Sequence, residues 1–421
     1  NRVKEYRAAN LCRDLTSYPW DELFEANDVN SMVDTLTTFT TAALDANAPI
    51  KSLNISSNYK HGLSEITLLE MEERDKCRRQ IQTASPSEKA TLWQKFKRLR
   101  NRCVSLIRRD SRRKIQEDIE RESSSARGLW KLVNSMGKEA DKNQKFELIE
   151  DDVHVTNERD VANTLNSFFV DKINIMHSNV DKNTQDDPYK HLIGKKRKEF
   201  GLSTVTRDEV MKKIKSLKNN NSHGIDGITT RILKDAANVL IEPLTHIINS
   251  SISQGEFPAL WKQAAVIPIL KRRSPTSKSN YRPVSLLSVV SKVLESIVND
   301  QIKAHFEKHN LLPRSQHGFR ASHSTQSALC ELVAKLNSAK ANGLTAAVAA
   351  FDMSAAFDCV VPEIMVKKLR LLGGNDSICK WLLSFLSNRS QLVRIGNSES
   401  ALLSLKYGCP QGSVLSPLLY T

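Results

Sequence analysis

Three short segments hold side chains suited to chemistry on phosphates. Residues 264–270 (AAVIPIL) read as a short buried-type strand ending at Lys271, and a loop then leads to Asn280-Tyr281-Arg282-Pro283. The proline biases Arg282 toward an extended backbone that projects its side chain outward. A lysine at a strand end and an arginine fork one loop away suit phosphate oxygens, although both also fit an ordinary solvent-facing strand end. The second segment, residues 345–360 (TAAVAAFDMSAAFDCV), is an apolar run ending in Asp352, with bulky Phe357 five positions on. An acid at the mouth of a buried strand is costly unless it meets a cation or a partner. Phosphoryl transfer uses such acids, because two Mg²⁺ ions about 3.5–4 Å apart hold the attacking and leaving oxygens in line. A capping Asp before a helix at Ser354 is the commoner use of one alone. The third segment, residues 408–419 (GCPQGSVLSPLL), is a Gly/Pro turn followed by Ser416 as an N-cap with Pro417 at the first helical position. Glycine lets backbone approach a ligand closely, and Gln411 is a neutral side chain suited to lining a nucleotide pocket. A purely structural loop is the alternative.

The elements that must position these residues follow from spacing. Thr206 and Glu209 form a capping box ahead of Val210, Ile214 and Leu217 in helical register. A helix over 237–251, a turn at 255–258 and Trp261 lead into the 264–270 strand, whose Pro268 predicts an edge or a bulge. Farther upstream, Ser31 and Asp34 read as a cap for a helix that carries Met32, Val33, Leu36, Phe39, Ala43 and Leu44 on one stripe and ends near Pro49. Between Met71 and Lys114 there are fifteen Lys/Arg against five Asp/Glu, while Trp93, Phe96, Leu99, Cys103, Leu106 and Ile107 recur at helical spacing. That is a basic amphipathic helix, bent or paired. Arg98, Arg100, Arg102, Arg108, Arg109, Arg112 and Arg113 then form either a phosphate-binding arm or a solvated face. Two further helices, 127–137 and 161–172, carry Trp130 and Phe168/Phe169 as core fillers. Polar residues 181–198 read as a linker or exposed hairpin. Its closing cluster Lys195-Lys196-Arg197-Lys198 is a nuclear address or a solvated run. The main boundary is placed near Phe200, giving residues 1–180, 181–199 and 200–421.

Composition narrows the partners. With 62 Lys/Arg against 47 Asp/Glu the net charge is +15, which favours a polyanion such as nucleic acid or an anionic membrane face. No run of about eighteen apolar residues occurs, so no membrane span is expected. The seven cysteines show no C-x-x-C pair and no metal-ligand spacing, and His317 with His323 lacks further ligands. A reduced, intracellular protein is the simpler reading.

Taken in order, NSHGIDGI, WKQAAVIPILK, NYRPVSLLSVVSKVLE, QHGFRASHST, AAFDMSAAFD and GCPQGSVLSPLLY resemble successive blocks of non-LTR (LINE-type) retrotransposon reverse transcriptases. The resemblance covers residues 200–421. Upstream it is looser and touches the region that in this family joins an endonuclease to the polymerase. It implies an α+β right-hand polymerase fold: a mostly helical N-terminal region, then fingers and an incomplete palm whose antiparallel sheet bears Asp352 at a strand end. It makes Asp352 the first catalytic carboxylate and a ligand of both Mg²⁺ ions, with the main-chain carbonyl of Met353 as auxiliary ligand. Lys271 and Arg282 match cations that hold the incoming triphosphate, and Phe357 the steric gate against a ribose 2′-OH. Gln411 and Gly412 match the loop that supports the new base pair. Asp358 is a structural candidate beside the gate. Phe319 reads as packing, Arg320 as a backbone contact, and Trp381, Arg389 and Gln391 as mostly packing.

Implied partners are an RNA template, a DNA primer or target and deoxynucleoside triphosphates, with the parent element working in the nucleus. Ala355 and Ser416 depart from the family pattern, and AAVAAF is smaller than its counterparts. The family's aromatic-x-Asp-Asp hairpin is expected beyond Thr421, so the chain as it stands is expected not to polymerise DNA. The rival reading is a non-catalytic nucleic-acid-binding remnant of a retroelement.

Overall fold

The computed structural model describes residues 7–48, 63–122, 128, 146–150, 153–178, 189, 192, 197–271, 274–353 and 355–420. The expected helix over 127–137 with Trp130, and most of the 181–198 linker with Lys195 and Lys196, lie outside them. Two compact units result, one from residues 1–51 with 146–421 and one from 52–145. The boundary expected near Phe200 does not separate units, because residues on both sides of it share one apolar core.

The first unit begins with α1 (Ala8–Thr16), α2 (Asp21–Phe24) and α3 (Val29–Asn47). Asp28, not Ser31, caps α3: its carboxylate accepts the Asn30 and Ser31 amides at 3.0 and 2.9 Å, and also takes the Ser31 hydroxyl at 2.6 Å. A carboxylate with two acceptor oxygens outcompetes the serine for the orphan amides. The expected stripe is buried at Met32, Val33, Leu36, Ala43 and Leu44, while Phe39 stacks on Tyr18.

The second unit, as far as it is described, is a helical hairpin. Its basic stretch breaks at Ala84–Ser85 into α4 (Glu65–Thr83) and α5 (Pro86–Glu122), with Pro86 opening α5, where its missing N–H costs nothing. Cys77 meets the Leu92 carbonyl and Ser64 meets Asp110, so the two helices run antiparallel. Thr67, Cys77, Ile81 and Cys103 fill the seam. Asp110, fully buried, accepts the Ser64 amide and hydroxyl, each at 2.7 Å, and the Thr67 hydroxyl at 2.5 Å. These donors, the Thr67 hydroxyl first, hold its carboxyl far below the usual range. Residues 89–114 contain eleven Lys/Arg and one carboxylate, this buried one. The exposed face of α5 is therefore cationic along most of a rod about 55 Å long.

Returning to the first unit, β1 (Leu148–Glu150) and β2 (Val153–Val155) form a hairpin ahead of α6 (Glu158–Ser178). Then come α7 (Arg207–Ser216), α8 (Thr230–Asp235), α9 (Ala237–Gln254), β3 (Gln263–Leu270), β4 (Tyr281–Leu286) and α10 (Val289–Lys308). The order ends with α11 (Thr325–Ala341), α12 (Pro362–Leu371), α13 (Asp376–Leu386), β5 (Arg389–Ile395), β6 (Ser398–Glu399), β7 (Leu403–Leu405) and α14 (Ser416–Tyr420). The Thr206–Glu209 capping box opens α7 as expected, and Gly255 closes α9 in the left-handed conformation that glycine takes without strain. Phe257 packs edge-on against Trp261, Trp381 and Phe385 at the centre of the helical core.

Helices and sheet together make the class α+β, but the sheet is mixed rather than antiparallel. Its order is β4-β3-β5-β6, with β7 also on β5, and β3 runs parallel to β5. Pro268 stands opposite Pro283 and past Val266, the last β3 residue paired with β5, so its missing amide breaks no ladder on that side. The strand expected to end at Asp352 is not formed. Residues 344–353 belong to no strand and are exposed, Phe351 to 91%. A strand needs a neighbour for its amides and carbonyls, and the small side chains of Ala346, Ala347, Ala349 and Ala350 offer little apolar area with which to recruit one.

Candidate nucleotide site

A cleft of about 500 Å³ in the first unit gathers Lys271, Arg282, Asp352, Met353 and Gln411, residues spread over 140 positions of sequence. The β3–β4 hairpin delivers the two cations. Lys271 closes its end, its amide donating to the Asn280 carbonyl at 2.8 Å and its Nζ to the Ser279 carbonyl at 3.1 Å. Arg282, paired in register with Ile269, projects into solvent at the cleft wall and makes no hydrogen bond or ion pair among the described residues.

The Gln411–Gly412 turn is fixed against β4. The Ser285 amide donates to the Gln411 carbonyl at 3.1 Å, and a Cβ on Gly412, at φ +128°, would sit 2.7 Å from the Ser285 carbonyl oxygen. Only glycine fits both constraints. Gln411 Nε2 donates to both Asp358 oxygens, at 3.1 and 3.0 Å. Burial pushes the Asp358 carboxyl above its ordinary value, against the opposing pull of the Gln411 amide and the Lys172 charge. Backbone straps from Gly408 to Val360 (2.7 Å) and from Cys409 to Phe357 (2.8 Å) tie the two loops together. Asp358 thus acts on Gln411: it orients the amide that lines the cleft.

Two expectations are changed by the geometry. Phe357 does not line the cleft but packs against Tyr420 and Phe319, with ring centroids at 5.3 and 6.4 Å. Asp352 and Met353 lie exposed at the rim on the unpaired stretch instead of at a strand end. Among the described residues no three His, Cys, Asp or Glu gather as a metal site. Asp358 is engaged by Gln411, so among the described residues Asp352 is the carboxylate of the cleft without a side-chain partner, and this set does not by itself make a two-metal centre.

Helix α6 supplies a wall that sequence reasoning assigned to packing. Phe168, Phe169 and Lys172 all line the cleft, Phe169 while otherwise buried. The signal was present: Phe168, Phe169, Lys172 and Ile173 fall on one helical stripe, and a lysine on an aromatic stripe marks an edge of the core. Asn166 and Gln391 exchange hydrogen bonds at 3.0 and 3.3 Å and fix α6 to β5. In the cleft lining itself, burial lowers the Arg389 pKa to about 10 and raises the Cys409 thiol to about 11.

Residues 269–421 match the family described as "Reverse transcriptase (RNA-dependent DNA polymerase)". That match covers about a third of the chain, and the curated proteins to which the chain is similar are named as RNA-directed DNA polymerases of transposons and mobile elements. One relative is the "Probable RNA-directed DNA polymerase from transposon BS" of Drosophila melanogaster, 34% identical over 221 residues, which is 52% of this chain and 24% of that protein. The "RNA-directed DNA polymerase from mobile element jockey" of the same organism is 34% identical over 225 residues, again 52% and 24%. Its namesake in Drosophila funebris is 26% identical over 409 residues, covering 94% of this chain and 43% of the relative. This chain therefore spans less than half the length of each. No helix among the described residues is long and apolar enough to cross a membrane.

Proposed function

We propose that the whole protein is an RNA-directed DNA polymerase of a non-LTR retrotransposon, and that the cleft receives the incoming deoxynucleoside triphosphate. The observation that carries this is the meeting of Lys271, Arg282, Asp352 and Gln411 around one cavity. Arg282, without a partner among the described residues and facing that cavity, binds triphosphate oxygens with Lys271 beside it. Gln411, held by Asp358, and Gly412, whose missing Cβ lets the turn seat against the Ser285 carbonyl, support the nascent base pair. Asp352 and the Met353 carbonyl serve a Mg²⁺ pair that supplies charge neutralisation when bound, with further carboxylates from an aromatic-x-Asp-Asp hairpin of the whole protein. In this reading the fold is the fingers and palm of a right-hand polymerase. Phe357 acts as the gate against ribonucleotides, which requires its ring to leave Tyr420. The template is RNA, the primer is nicked chromosomal DNA, and the work is nuclear.

The test is extension of a DNA primer on an RNA template by the whole protein with Mg²⁺. Asp352→Asn is expected to lower synthesis by at least about 10²-fold. Robust synthesis by that variant would overturn the reading.

The second reading, a retroelement remnant that only holds nucleic acid, draws on the cationic face of α5. Both readings predict binding that falls steeply with salt, by about 10³-fold or more between 50 and 200 mM if six or more phosphates are neutralised. They part at synthesis: binding without any extension would favour the remnant.

A further inference from the structure

We propose that Glu295 is a positioning residue for the Gln411–Gly412 turn, a role that rests on the nucleotide-cleft reading above. Glu295 lies on α10, is 1% exposed and does not line the cleft. One of its oxygens accepts the Ser413 hydroxyl at 2.5 Å and the Val414 amide at 2.7 Å, the two residues directly after Gly412. Its other oxygen accepts the Ser291 hydroxyl at 3.2 Å. Ser413 in turn accepts the Leu415 and Ser416 amides at 3.0 and 3.3 Å, so the same junction opens α14.

A carboxylate sealed in an apolar helical core is expensive unless its charge is balanced and its oxygens are satisfied. Its oxygens are satisfied by the three donors above. Arg389, buried against the Phe385 ring with its guanidinium donating to the Phe385 carbonyl at 2.9 Å, is the cation whose charged form Glu295 favours. The turn is thereby gripped from two sides: Ser285 of β4 fixes its front at Gln411, and Glu295 of α10 fixes its back at Ser413 and Val414. Between the two grips lies Gly412, next to the Gln411 side chain. A general packing role would be served by a leucine. A buried acid aimed at two consecutive donors of one turn instead sets where that turn stands relative to the triphosphate cations.

The kinetic test uses the whole protein. Loosened positioning weakens nucleotide capture, so Glu295→Ala is expected to raise the deoxynucleotide KM about tenfold, with primer-template affinity unchanged. Glu295→Gln, which keeps an acceptor for both donors, is expected to recover most of that loss. Ser413→Ala, which removes one donor without touching the core acid, should move KM in the same direction. A merely structural role predicts lower kcat and lower melting temperature at constant KM, and that pattern overturns the proposal. Hydrogen exchange of this chain decides the positioning claim even if the whole protein makes no DNA. Faster exchange in Glu295→Ala and Ser413→Ala confined to residues 411–416 supports it, and unchanged or uniformly raised exchange overturns it.

Discussion

The helices around Phe257 and the stretch from Thr325 to Met353 are both apolar in sequence and have opposite surroundings. Trp261, Trp381 and Phe385 are sealed among α9, α10 and α13. By contrast α11 buries none of its residues, and Leu329, Val333, Leu344, Val348 and Phe351 face solvent. Local chemistry still makes the second helix: Ser324 and Ser327 cap each other's backbone in a capping box. Helix formation is thus written locally, whereas burial depends on a facing surface that the described residues do not provide there. The same contrast separates the cleft's two sides, since Gln411 and Arg282 stand on braced elements and Asp352 on the unbraced stretch.

Substitutions can break or sharpen this comparison. The largest effect is expected from Trp381→Ala, which empties the packed core and should cost about 3–5 kcal/mol in denaturant unfolding. Gly412→Ala comes next. Its Cβ would collide with the Ser285 carbonyl in a left-handed backbone, and about 1–3 kcal/mol of strain should appear together with a raised nucleotide KM.

A pH effect follows from Asp110, whose folded-state pKa is depressed. Its contribution is complete above the ordinary carboxylate pKa of about 4 and is lost as pH falls through the depressed value. Helical circular dichroism of the chain should therefore drop on acidification, and Asp110→Asn should be less stable at neutral pH with a flatter acid response. The smallest effect belongs to Val348→Ser and Phe351→Ser, each within about 0.5 kcal/mol of the parent. A loss above 2 kcal/mol at either would mean that this stretch is packed in solution and would erase the contrast.

Much of the architecture was legible from spacing alone. The Thr206 capping box and the basic stretch as paired helices follow from local rules, whereas β3, where Pro268 predicted an edge or a bulge, is an interior strand whose proline lies past its pairing with β5. The cleft was legible in part: Lys271, Arg282, Asp352 and Gln411 meet there, but Phe357 does not, because its ring finds Tyr420 and Phe319 instead. What stayed hidden is what only three dimensions decide. Asp28 displaces Ser31 as a cap because a carboxylate competes better for amides. Parallel pairing of β3 with β5, the hold of Asp358 on Gln411, and the Glu295–Ser413 contact join residues 53 to 127 positions apart, which no local pattern encodes. The strand before Asp352 failed for a related reason: its sequence predicts extension, and pairing needs a neighbour.

The central claim is that this cleft takes a deoxynucleoside triphosphate. Photocrosslinking an azido-deoxynucleoside triphosphate to the whole protein on an RNA–DNA primer-template, followed by peptide mapping, tests it most directly. The account predicts label on peptides containing residues 271–285 and 405–412, displaced by unlabelled nucleotide and lost in Arg282→Ala. Competable label confined to other peptides, or full labelling of Arg282→Ala, would contradict it.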